Sequence, residues 1–119
     1  MKTTLSYGAA LELVNAIERN KFNMIPSDGV WINIACCLKQ FGESGRSLFH
    51  RVSCFQKKYD PQKVNNLYSA VLGSSIQSPS LLYMVDLAEK IYTSESIKKI
   101  REEILKEEFN QSFQSINYN

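Results

Sequence analysis

Apolar positions recur along this chain with a helical period, and strand-like alternation is scarce. The spacing predicts a first helix over about Tyr7 to Asn20, with Ala10, Leu13, Val14 and Ile17 on its inner face. Asn23 to Pro26 break the pattern, and Asp28 is the expected N-cap of a second helix. There Val30, Ile34, Cys37, Leu38 and Phe41 form a broad stripe with Trp31 at its edge. Gly42 is placed to stop that helix as a C′ residue, and Ser44 to cap the next. The third helix is expected from roughly Gly45 to Lys57, burying Leu48, Val52 and Phe55 with Phe49 alongside.

Asp60-Pro61, a cap followed by an N1 proline, opens a fourth helix with Val64, Leu67, Tyr68 and Val71 inward. Ser78-Pro79 predicts the same device for a fifth, whose inner positions are Leu81, Met84, Val85, Ala88 and Ile91. Thr93 or Ser94 opens a sixth helix, Glu95 to about Phe109, with a narrow stripe of Ile97, Ile100 and Ile104. Asn110 to Asn119, rich in Asn, Gln and Ser, read as a frayed polar tail. The expectation is one all-α domain over residues 1–109, a compact bundle of five to six short helices.

Composition narrows the class. The 119 residues are 44% apolar and 22% charged, ordinary for one globular core and too apolar for wholesale disorder. No apolar run approaches a membrane span, and the first residues hold no apolar stretch of a secretory leader. Three cysteines, Cys36, Cys37 and Cys54, without framework spacing suit a reducing cytoplasm. The net charge of +2 is too small to declare a nucleic-acid binder, but it is unevenly placed. Between Lys39 and Lys63 lie six basic residues (Lys39, Arg46, Arg51, Lys57, Lys58, Lys63) against two acids (Glu43, Asp60). The middle therefore carries a local excess of positive charge, able to form an anion-binding face.

Catalytic chemistry has few candidates. There is one histidine, and Asp28 and Asp60 are accounted for as helix caps. No nucleophile elbow supports His50 in a hydrolytic triad, and Gly42 to Ser47 lack the Lys-Ser/Thr pair of a phosphate loop. An enzyme is not expected, and neither a cofactor nor a small-molecule substrate is implied. His50 and Cys54 share a helix face, but adjacent Cys36 and Cys37 point about 100° apart and cannot easily complete one ion site.

The third helix is more informative. On a helical projection Arg46, His50, Ser53 and Lys57 share the face opposite Leu48, Val52 and Phe55, with Arg51 and Lys58 flanking it. Such a strip suits phosphate oxygens, and Trp31 and Tyr59 are candidate aromatic contacts beside it. The competing explanations are a solvated amphipathic helix, or an Arg46 that pairs with Glu43 or an acid of a neighbouring helix and pins the turn.

The same residues carry a family resemblance. Trp31-Ile32-Asn33-Ile34, Gly42-Glu43-Ser44-Gly45-Arg46, Phe49-His50-Arg51-Val52-Ser53 and Tyr59-Asp60 resemble, in order and spacing, the primase C-terminal type 2 domain. The likeness covers about residues 9 to 90, continuing more weakly through Tyr68 to Ile76–Leu82 and Leu87-Ala88. It departs at Tyr68, where the family often has Trp or Phe, and at Ser78-Pro79-Ser80, where the family has a Thr-rich cap. The resemblance implies a small helical module of primase and primase–helicase proteins of phages, plasmids and other mobile elements. Such a module accompanies the catalytic domains without being the polymerising site. The motif positions are Trp31, Gly42, Gly45, Arg46, Phe49, His50, Ser53 and Tyr59.

Read from their own chemistry, Trp31 and Phe49 pack and are expected to be largely buried. Gly42 and Gly45 make the turn. Arg46 and His50, with Arg51, Lys57 and Lys58, are the exposed candidates for contact with DNA, single- or double-stranded, or with a primase or helicase protein. The alternative is a protein adaptor with no nucleic-acid contact.

Overall fold

In the computed structural model, which describes residues 7–91 and 94–117 (the last seven by backbone alone), six α-helices enclose one core. They are α1 (Tyr7–Asn20), α2 (Asp28–Leu38), α3 (Ser44–Ser53), α4 (Pro61–Leu72), α5 (Leu82–Ile91) and α6 (Glu95–Asn117). A 3-10 turn, Lys39–Phe41, follows α2, and no strand occurs among the described residues. Helix α3 packs against α1, α2 and α4, while α6 lies on α1 and α5 and α2 bridges to α5. The amphipathic stripes converge because α1 to α5 are each short and gain most of their stability from the face they bury.

The local chemistry of each helix end explains the boundaries. Lys21 terminates α1 in a left-handed conformation (φ 52°), its N–H donating to the Glu18 carbonyl. Met24 and Ile25 then turn into the core, and the Asn23 side chain accepts from the Ile25 N–H at 2.9 Å. Ser27, not Asp28, caps α2: its extended backbone lets its hydroxyl accept from Val30 N–H, leaving Asp28 as the first helical residue. There its carboxylate complements the helix dipole. Gly42, at φ 62°, stops the 3-10 turn in the role expected of it.

Ser44 does not cap α3. It is the first helical residue, preceded by Glu43 in helical conformation without a side-chain cap. The Gly42 and Glu43 carbonyls take the N–H groups of Gly45 and Arg46 instead, so the chain passes from turn to helix with little intervening coil. Helix α3 also ends at Ser53, four residues before Lys57. Beyond Val52 its inner face offers only the half-buried Phe55, and Pro61 holds Asp60 out of helical conformation, so 54–60 must carry the reversal into α4.

Asp60 and Pro61 open α4 as expected, the Asp60 carboxylate accepting from Gln62 N–H at 3.0 Å. Val64, Tyr68 and Val71 are buried and Leu67 half-buried. Pro79 does not start α5. Ser80 accepts from Leu82 N–H, and buried Leu81 anchors the chain ahead of the first turn. The loop before it is held from the 3-10 turn after α2, where the Lys39 ammonium donates to the Ser74 and Ile76 carbonyls at 2.7 and 2.5 Å. Met84, Val85 and Ala88 face inward, but Ile91, expected inside, is 48% exposed at the end of α5.

Ser94 caps α6 through Ile97 N–H at 3.2 Å, and Ile97, Ile100 and Ile104 are buried. Thr93, the other candidate cap, lies outside the described residues. Arg101 ties α6 to α5 by reaching both Asp86 and Glu89. The backbone of α6 continues to Asn117, eight residues past the boundary expected at Phe109. Neither Gly nor Pro occurs after Ser94, so nothing in the polar segment from Asn110 terminates a helix once started. No helix among the described residues is long and apolar enough to cross a membrane.

Candidate functional site

The motif residues meet where α2, α3 and α4 pack, and most of them are turned on one another. Phe49 is fully buried between two aromatic rings: Trp31 stacks on it at 5.9 Å and Tyr68 lies tilted at 5.7 Å. Trp31 is only half-buried, contrary to expectation, because its position at the edge of the α2 stripe leaves part of the indole outside the packed layer. Its ring N–H donates to the Ser53 hydroxyl at 3.0 Å. Ser53 is itself fully buried, so it belongs to the core and not to an outward strip.

The Tyr68 hydroxyl enters the α2–α3 junction, 2.6 Å from the Gly42 carbonyl and 3.0 Å from that of Leu38. Burial, with the Glu43 carboxylate nearby, pushes its pKa up to about 12, so it remains a donor at any physiological pH. Gly45 is required here. A Cβ on it would overlap both the Leu38 carbonyl oxygen and the Tyr68 hydroxyl.

Arg46 lies over the Tyr68 ring, 5.2 Å from its centroid. Its guanidinium forks onto Glu43 at 2.8 and 3.0 Å, and its other nitrogen reaches the Asn65 carbonyl, the Asn65 amide oxygen and the Ser69 hydroxyl. It pins the turn to α4. The hydrogen bond from Arg46 holds the Glu43 carboxyl below its ordinary range.

His50 is similarly committed. Arg46 can only donate, so Asn65 must present its oxygen, and His50 Nε2, 3.1 Å from that oxygen, must carry a proton. In the neutral ring Nδ1 then accepts from the Tyr59 hydroxyl at 3.0 Å. Tyr59 thus covers His50 edge-on, their centroids 6.3 Å apart. Arg51 turns the other way, onto α1, where it forks onto Glu18 at 2.7 Å and reaches Asn15 at 2.5 Å. This hydrogen bonding lowers the Glu18 pKa.

The outward strip expected of α3, with Arg51 on its flank, is therefore corrected at five residues. Arg46, His50 and Arg51 are occupied by internal partners, Ser53 is buried, and Lys57 lies beyond the end of the helix. The helical projection placed Lys57 above His50 only by continuing a helix that has already stopped.

Lys57 and Lys58 instead rim a groove, together with Lys63 of α4. The groove encloses about 420 Å³, with Trp31, Ile25 and Val64 as its apolar wall and Asn23, Gln56, Asp28 and Asp60 as its remaining polar lining. All three lysines are exposed and have no ion-pair or hydrogen-bond partner among the described residues. The two acids sit at the starts of α2 and α4, where each is already engaged by the positive end of a helix dipole. Cations beside an aromatic wall can hold phosphate oxygens at the rim and a planar group inside.

Sequence reasoning missed Lys63 as a site residue, although the charge cluster contains it. It had no signal for Asn65 and Ser69, which lie one helical turn apart on α4 and are defined only by what reaches them from α3. Among the described residues no three His, Cys, Asp or Glu side chains gather as metal ligands. Cys36 and Cys37 are buried, and burial followed by the neighbouring Cys36 raises the Cys37 thiol to about 12.

No protein-family model, curated protein or solved structure matches the chain.

Proposed function

We propose that this chain is a non-catalytic helical module of mobile-element DNA replication that contacts nucleic acid through the Lys57–Lys58–Lys63 groove. The groove carries this reading: three unpaired lysines converge on one concavity beside an aromatic wall. The motif resemblance supplies the replication context, in which such modules act beside a primase or helicase. A non-catalytic role is favoured because His50, the chain's sole histidine, spends both ring nitrogens on Tyr59 and Asn65, and Asp60 caps α4.

The contact surface differs from the one expected of the third helix, since Arg46, His50 and Arg51 serve the fold. The test is a titration of labelled DNA into the wild type and a Lys57→Ala/Lys58→Ala/Lys63→Ala variant across a salt series. The variant should fold normally and bind more weakly, with a salt slope shallower by at most about three phosphate contacts, each near 0.7 to 0.9. Binding unaffected by the triple substitution would refute the groove as the contact. No binding by the wild type at low salt would return the function to an acidic protein partner.

A further inference from the structure

We propose that the groove takes single-stranded DNA, with one unpaired base stacked on Trp31 and the flanking phosphates on the lysines. This rests on the nucleic-acid reading above and adds which form of nucleic acid is bound and by which side chain.

Trp31 is held for this purpose from two sides. Phe49 covers one face of the indole in a stacked arrangement, at 5.9 Å and 22° between planes, and the ring N–H is fixed on Ser53. Trp31 is among the residues that line the groove, and it is half-buried, not enclosed. An indole anchored in this way loses little freedom when a ligand stacks on it, which is the entropic advantage of a pre-set aromatic platform. Ile25 and Val64 add to the apolar lining, and the exposed Lys57, Lys58 and Lys63 line the same groove.

This division selects the strand. Phosphate-only recognition would not place an aromatic wall within the groove. In a duplex the faces of the bases are covered by their neighbours, so an indole can stack only on a base that is unpaired. The volume of about 420 Å³ admits a group of nucleotide size and is too small for a duplex to enter.

The experiment uses the full chain and its own fluorescence, because Trp31 is its one tryptophan. Oligothymidylate, an abasic strand of the same length, a duplex and polyglutamate, each end-labelled, are titrated at low salt; affinity is read from the anisotropy of the label for wild type and variants, and Trp31 emission is followed alongside in the wild type. Oligothymidylate should quench and shift the emission. The abasic strand, with the same charge and no bases, should bind about 5- to 150-fold more weakly and leave the emission unchanged, the range expected for losing one stacked base. Trp31→Leu should lose the same factor for oligothymidylate and nothing for the abasic strand. Trp31→Phe should retain much of the affinity, and it keeps the test open if the leucine variant does not fold.

Equal affinity for the abasic and thymidylate strands, or thymidylate binding without a change in emission, overturns the stacked base while leaving the lysine groove standing. Quenching by the duplex or by polyglutamate equal to that by oligothymidylate also overturns it. Absence of binding by every nucleic acid overturns both readings together.

Discussion

The hydroxyl of Tyr68 occupies the space that a side chain on Gly45 would need. One residue thus explains the other: the tyrosine closes the α2–α3 junction by donating toward Leu38 and Gly42, and only glycine lets α3 pass close enough. Gly45→Ala should gain about 1 kcal/mol of helix propensity but lose more by overlap, since overpacking typically costs about 1–3 kcal/mol and the Leu38 carbonyl cannot rotate aside. Tyr68→Phe relieves one of the two overlaps. In urea unfolding the double variant should therefore be less destabilised than the sum of the singles, and strict additivity would refute the relationship.

Arg46 should behave as a structural residue. Its fork onto Glu43 is largely solvent-exposed and contributes little, whereas its contacts to Asn65, Ser69 and the Tyr68 ring join two helices. Arg46→Ala is expected to cost about 1–2 kcal/mol, in the range of a lost charged hydrogen-bond partner, and to leave DNA affinity per folded molecule unchanged. A fall in affinity with stability intact would restore Arg46 to the contact surface.

Acid should weaken the fold chiefly through the Arg51–Glu18 pair, with the more exposed Arg46–Glu43 pair adding little. Hydrogen bonds from Arg51 and Arg46 hold the Glu18 and Glu43 carboxyls below the ordinary value of 4.5. The unfolded chain then takes up those protons more readily, so the stabilisation is complete above pH 4.5 and is lost as pH falls toward the lower folded-state values. Melting temperature measured against pH should decline along that limb, and Glu18→Gln should make the decline shallower. An acid limb equally steep in the variant would remove the Arg51–Glu18 pair as a contributor.

How far this architecture is legible in the sequence depends on the reach of the interactions. Helices α1 and α4 and the opening of α6 follow from a clear apolar period and from caps such as Asp60-Pro61 and Ser94, all local signals. The end of α3 does not, because Phe55 extends the apolar period by one turn while the chain must already reverse toward Pro61. The outward strip expected of α3 differs from the structure for a related reason. A projection of one helix shows which side chains share a face, but Arg51 is claimed by Glu18 and Asn15 of α1, and His50 by Asn65 of α4. Those partners are separated by up to 36 residues in sequence. The local charge excess was legible, and its unpaired members, Lys57, Lys58 and Lys63, are those beyond the reach of such partners.

The cysteines should separate by exposure. Cys54, at the end of α3, is exposed, while Cys36 and Cys37 are buried and the Cys37 thiol, at about 12, has almost no thiolate at neutral pH. Since the thiolate is the reacting form, a brief treatment of native protein with iodoacetamide should label Cys54 alone. Mass spectrometry should find three labels in denaturant. Rapid native labelling at Cys37 would mean that the α2 layer opens far more readily than its burial implies.

Phe49 should be the most costly of these side chains to truncate. It is fully buried between Trp31 and Tyr68, so Phe49→Ala removes the centre of a three-ring cluster and leaves a cavity between α2, α3 and α4. Truncating a buried aromatic costs about 3–5 kcal/mol, a large part of the roughly 5–15 kcal/mol that holds a domain of this size. Circular dichroism should show a melting transition far below that of the wild type, or none. Trp31 reports the same event independently: without Phe49 against its face the indole gains contact with water, and its emission should move to longer wavelength even where the variant still folds. Phe49→Leu refills much of the volume and should recover most of the stability but not the ring-on-ring packing, so its Trp31 emission should fall between the two. An unchanged melting temperature in Phe49→Ala would place the ring outside the core and displace the stack on which the Trp31 platform depends.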